Sequence, residues 1–173
     1  ETLFAFRHQE NPQQVLQVQR EQLNFRVDEW EIVNQSAQGF RLARTSSGRK
    51  MAHGQLIALC PPGSDHFFLA RTSWLLQERD GGLIAGVDAL PGIPQPAAAR
   101  ALDGDSTPPG KYAPIFLLPA IPAVGSEPSL VLPAGWYRPG RIIALYTDKA
   151  WQVRLQQVLD DGSDFERVAF VVC

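Results

Sequence analysis

Cysteine is scarce: Cys60 and Cys173 are the only two in 173 residues. Two distant thiols make neither a disulfide framework nor a clustered metal site. They read as one buried free thiol and one terminal residue, compatible with a reducing cytoplasm, which is the expected location. A basic excess is also missing. Sixteen Lys and Arg stand against 18 Asp and Glu, a formal net charge of −2. That balance excludes a dedicated binder of duplex nucleic acid, which needs cations to displace counterions. The apolar runs are short, as at Ile115 to Leu118, so no membrane span is expected. No basic n-region with an apolar h-region opens the chain, so no secretion signal is expected. A first residue of Glu1 predicts a fragment of a longer protein.

Catalytic signatures are absent too. No GxxxxGK loop occurs, which excludes a P-loop NTPase. Ser36 and Ser129 lack a nucleophile-elbow context. His8, His53 and His66 are scattered without zinc-ligand spacing. Asp160, Asp161 and Asp164 have no closing Glu at EF-hand spacing and read as a hairpin turn. No metal, no cofactor and no enzymatic activity are expected.

What the chain has in quantity is turn punctuation within an ordinary globular composition, 45% hydrophobic and 20% charged. Glycine and proline number 14 each, and eleven of the prolines fall between Pro91 and Pro139. Proline removes a backbone donor, so that stretch holds no long helix or central strand. Asn11-Pro12 supplies an N-cap and a first-turn proline for one short helix over Gln13 to Leu23. Strand signals follow at Trp30–Val33, Gly39–Leu42, Gln55–Leu59, Phe67–Leu76 and Leu83–Leu90. After a break they resume at Ile115–Leu118, Ser129–Leu132, Arg141–Tyr146, Trp151–Leu159 and Phe165–Val172. Short strands with regular turns predict an all-β protein.

The two halves resemble each other. Gly54-Gln55-Leu56-Ile57-Ala58-Leu59 aligns with Gly140-Arg141-Ile142-Ile143-Ala144-Leu145, an offset of 86 residues from 54 to 140. Each hexapeptide precedes a long strand headed by an aromatic, Phe67 or Trp151. Each long strand meets an acidic-glycine turn, Asp80-Gly81 or Asp161-Gly162, and then a Val-containing strand. Four features in one order predict tandem small antiparallel barrels. The expected layout is an N-terminal segment with the helix over 1–27, a barrel over 28–95, a Pro/Gly-rich linker over 96–112 with at most one helical turn near Ala98, and a second barrel-like unit over 113–173. Gly135-Trp136-Tyr137-Arg138-Pro139-Gly140 reads either as a protein-contact loop or as a plug for a barrel end.

One segment carries chemistry. Asn34-Gln35-Ser36-Ala37-Gln38-Gly39 lies between a strand ending at Val33 and one starting at Phe40. On its own it reads first as a turn built by local side-chain bonds, and it gains a binding reading only from the resemblance that follows. The segment, the strands after it, Trp74, and Ala85-Gly86-Val87 together resemble the PilZ domain family over roughly residues 20–95. The family signature is Asp or Asn, one residue, Ser, two residues, Gly. The resemblance implies a six-stranded barrel that binds cyclic di-GMP through Asn34, Ser36 and Gly39. It also implies two arginines on the preceding segment. The nearest are Arg20 and Arg26, with five residues between them where the family has three. The resemblance thus implies a cytoplasmic signalling or adaptor protein. The alternative is a ligand-free PilZ-like scaffold that binds a protein partner. The second unit has Glu127-Pro128 where the polar turn would stand, so nucleotide binding is not expected there.

Overall fold

The computed structural model describes residues 27–45, 48–102 and 111–173. Arg20, Arg26 and the helix expected over Gln13 to Leu23 lie outside them. The described residues form eleven strands and no α-helix. In chain order these are β1 (Glu31–Gln35), β2 (Gly39–Arg44), β3 (Leu56–Leu59), β4 (Phe68–Gln77), β5 (Leu83–Ala89), β6 (Gln95–Ala101), β7 (Ala113–Leu118), β8 (Ser129–Pro133), β9 (Ile142–Tyr146), β10 (Ala150–Asp161) and β11 (Phe165–Val172). A single 3₁₀ turn spans Pro122–Val124.

Every pairing is antiparallel, and the strands form two bodies. The first is a five-stranded sheet in the order β1-β2-β5-β4-β3. The second is a closed six-stranded barrel, β10-β11-β8-β7-β6-β9. Read from β7, the barrel runs β7-β8-β11-β10-β9, the same five-strand order as the first sheet, with β6 closing the gap between β7 and β9. The internal match extends to single hydrogen bonds. Gly54 N–H donates to the Thr72 carbonyl, and Thr72 N–H donates to that of Gln55. Likewise Gly140 N–H donates to the Leu155 carbonyl, and Leu155 N–H to that of Arg141. Both glycines sit at positive φ, 74° and 73°, where a Cβ would be strained.

Two expectations change. Among the described residues the first unit is an open sheet, since nothing there pairs with the free edges of β1 and β3. The first part of the connector expected over 96–112, including the helical turn near Ala98, is strand β6 over Gln95–Ala101. Its small residues suit the barrel interior, where Ala97 and Ala99 are buried. Pro96 is tolerated because β9 pairs with β6 only from Ala98 to Ala101, so no partner there needs its missing N–H.

The barrel is filled by Ile115, Leu130, Leu132, Ile143, Leu145, Val153, Leu155 and Val168. Trp136 and Tyr137 pack against that core, so the Gly135–Gly140 loop plugs the barrel. The Glu166 carboxylate fixes the plug by accepting from Gly135 N–H at 3.0 Å and Tyr137 N–H at 2.8 Å. A smaller cluster joins the two bodies: Leu69 and Leu90 from the first meet Leu118, Val131 and Phe165 from the second. Polar ties surround it. Ser163 N–H donates to the Gly54 carbonyl at 2.8 Å, and Leu56 N–H donates to Asp164 Oδ1 at 2.8 Å. A buried apolar junction couples what it joins, so denaturant unfolding is expected to be one transition. Coincident tryptophan-fluorescence and far-UV circular dichroism curves would check this, and two separated midpoints would refute it.

Candidate functional site

The β1–β2 turn owes its shape to Ser36. Its Oγ accepts from Gly39 N–H at 3.2 Å and Gln38 N–H at 3.3 Å, while Ser36 N–H donates to the Gly39 carbonyl at 2.9 Å. Asn34 Oδ1 accepts the Gln35 N–H at 2.7 Å. These are the local bonds by which short polar side chains form turns. Gly39 is required for space rather than for an unusual φ. A Cβ there would stand 2.0 Å from the Val87 carbonyl oxygen of β5.

The turn borders a cleft of about 210 Å³ on one face of the first sheet. Asn34, Ser36 and Gly39, all expected from the sequence, line it together with Arg41, Ser73, Trp74 and Asp88. Strand register makes this assembly. Gly39 stands opposite Asp88, Arg41 opposite Gly86, and Gly86 opposite Trp74. A bulge between Thr72 and Trp74 adds Ser73, which turns both Ser73 and Trp74 toward the cleft. Ser73 Oγ donates to the Gly86 carbonyl at 3.1 Å.

Trp74, part of the PilZ resemblance in the sequence, was not among the residues expected at the site. Its indole lies over Gly86, where an added Cβ would come within 2.0 Å of Nε1. The Arg41 guanidinium carbon is 5.8 Å from the ring centroid, within cation–π range. The ring stays 42% exposed, a large apolar surface facing an open cleft. A glycine inside a strand signals close approach of another group, so Gly86 was the readable clue. Asp88 supplies the carboxylate, 3.4 Å from Arg71 Nη2.

Groups away from the cleft have structural explanations. Arg44 is buried, pairs with Asp28 at 2.7 Å and lies over the Trp30 ring at 4.7 Å. Its Nη2 also donates to the Arg49 carbonyl, so it ties the lead-in to β1 to the chain after β2. The Thr147 hydroxyl donates to the Asp148 carboxylate and holds its pKa below the ordinary value, in the exposed β9–β10 turn. No group of three metal-ligating side chains occurs among the described residues. None of their helices is long and apolar enough to cross a membrane.

Comparison with known proteins places the second body first. Residues 97–173 match the family described as the FimW C-terminal beta-barrel domain. The match runs from within β6 to beyond β11, over the closed barrel. Among solved structures, the chain is similar to one titled "MrkH, A novel c-di-GMP dependence transcription regulatory factor", at 10% identity and a TM-score of 0.29, covering 95% of this chain and 84% of that one. No curated protein matches the chain.

Proposed function

We propose that the cleft beside the Asn34–Gly39 turn binds cyclic di-GMP, and that the chain is a non-enzymatic signalling or adaptor protein. The observation that carries this reading is Trp74, laid flat over Gly86 inside a cleft that also holds the Asn-x-Ser-x-x-Gly turn. An exposed indole offers a stacking surface to a purine, and Arg41 beside it adds a cation. The Asp88 carboxylate accepts hydrogen bonds, which suits the donor-bearing edge of guanine. Asn34 brings an amide to the same rim. A carboxylate, a guanidinium, an indole and hydroxyls are a set suited to holding a nucleotide. Arg20 and Arg26 are proposed to supply the phosphate contacts, as the PilZ resemblance implies.

Calorimetric titration with cyclic di-GMP tests the reading on wild type, Trp74→Ala, Gly86→Ala and Arg26→Ala. Loss of one stacked base weakens binding by about 1–3 kcal/mol, or roughly five- to 150-fold. Trp74→Ala is expected to fall in that range. Gly86→Ala is expected to follow it, because its Cβ displaces the ring while the strands remain paired. A wild-type protein that is folded yet silent toward cyclic di-GMP would refute the reading and favour the scaffold that binds a protein partner.

A further inference from the structure

We propose that Arg71 couples the cleft to the second barrel, so that an anionic nucleotide in the cleft loosens the docking of the β10–β11 turn. This rests on the nucleotide reading above. Four strands place Gly39, Asp88, Arg71 and Leu56 in one cross-strand row. The row begins at the Asn34–Gly39 turn and ends at Leu56, whose N–H donates to Asp164 Oδ1 of the second body. Arg71 spans the middle. Its Nη2 meets Asp88 Oδ2 at 3.4 Å, and its Nη1 donates to the Asp161 carbonyl at 3.1 Å. One guanidinium thus touches a carboxylate of the cleft and the backbone of Asp161, the last residue of β10 before the β10–β11 turn.

Both contacts are replaceable. The carboxylate pair is long, and the side chains are 31% and 50% exposed, so solvent screens it. The other partner is a neutral carbonyl. With the guanine edge on Asp88, a phosphodiester of the same nucleotide on the Arg71 side of the cleft offers the guanidinium shorter, charge-assisted bonds. Arg71 then turns from Asp161 toward the ligand. The turn keeps two ties, Ser163 N–H to Gly54 and Leu56 N–H to Asp164, and loses the third. Linkage makes the effect reciprocal: the undocked turn binds the nucleotide more tightly than the docked one, by the factor by which the nucleotide favours undocking.

Amide hydrogen exchange at Leu56 and Ser163, measured on the full chain with and without saturating cyclic di-GMP, reads the docking directly. In wild type the ligand is expected to speed exchange at both amides by about fivefold, the low end of ordinary coupling. Arg71→Met keeps the aliphatic stem. It is expected to bind about tenfold more weakly, with exchange unmoved by ligand. Asp164→Ala removes the acceptor of Leu56 N–H without touching the cleft, and is expected to bind cyclic di-GMP severalfold more tightly. Wild-type binding with unchanged exchange, or Asp164→Ala with unchanged affinity, would overturn the coupling and leave the binding site standing. Absence of binding in wild type would overturn both.

Discussion

Phe165→Ala is expected to remove about 3–5 kcal/mol of stability, the range for a fully buried aromatic truncated to alanine. Phe165 is 1% exposed and sits in the cluster that joins the two bodies. Its neighbours there are Leu69 and Leu90 of the first body and Leu118 and Val131 of the second. The cavity therefore opens between the bodies rather than inside one. A small domain holds about 5–15 kcal/mol in total, so the loss is a large fraction of it. The variant is also expected to lose the coincidence of its unfolding curves, with the first sheet melting ahead of the closed barrel. Urea titration followed by fluorescence and circular dichroism measures both effects. A loss below about 1 kcal/mol, typical of surface positions, would show that the bodies are held by something else.

Gly39→Ala has the second large effect, and its cause differs. The added Cβ would lie 2.0 Å from the Val87 carbonyl oxygen and 3.0 Å from its carbon, both backbone atoms of a strand paired on each side. Neither atom can swing aside as a side chain does. The β2–β5 pairing must open, at an expected loss of about 3 kcal/mol or more, the upper part of the overpacking range. Gly81→Ala is the control. Gly81 has φ 90° with nothing near its Cβ position, so only backbone strain applies, about 1–2 kcal/mol. Thermal denaturation of the two variants should rank them in that order. Equal midpoints would mean that β5 yields easily and that Gly39 is dispensable to the fold.

Much of the architecture was legible because turns and periodicity are local. The Gly54 and Gly140 hexapeptides were matched as text. The same pair of backbone hydrogen bonds follows each of them in space. Strand β6 was hidden by its own composition. Proline and alanine read as a connector, and only the narrow barrel interior explains why small residues serve there. The cleft was half legible. Asn34, Ser36 and Gly39 are adjacent in sequence, so a motif exposes them. Arg41, Trp74 and Asp88 come from three strands, and only register and the bulge at Ser73 bring them together. The plug formed by Trp136 and Tyr137 was left open between two uses because a turn's sequence does not say which way its aromatics point.

The Gly54–Ser163 contact has a consequence for synthesis on the ribosome. Its partners are more than a hundred positions apart, as are Leu56 and Asp164 at a separation of 108. When β1 to β5 have emerged, the chain that will cover Leu69 and Leu90 has not yet been made. The nascent sheet must wait with apolar side chains uncovered until Phe165 arrives. Contacts of such long range slow folding, and waiting surfaces invite wrong partners. Release of soluble protein from a cell-free translation reaction should therefore depend on chaperone supply more steeply for the full chain than for the closed barrel alone, whose own strands β6 to β11 are consecutive.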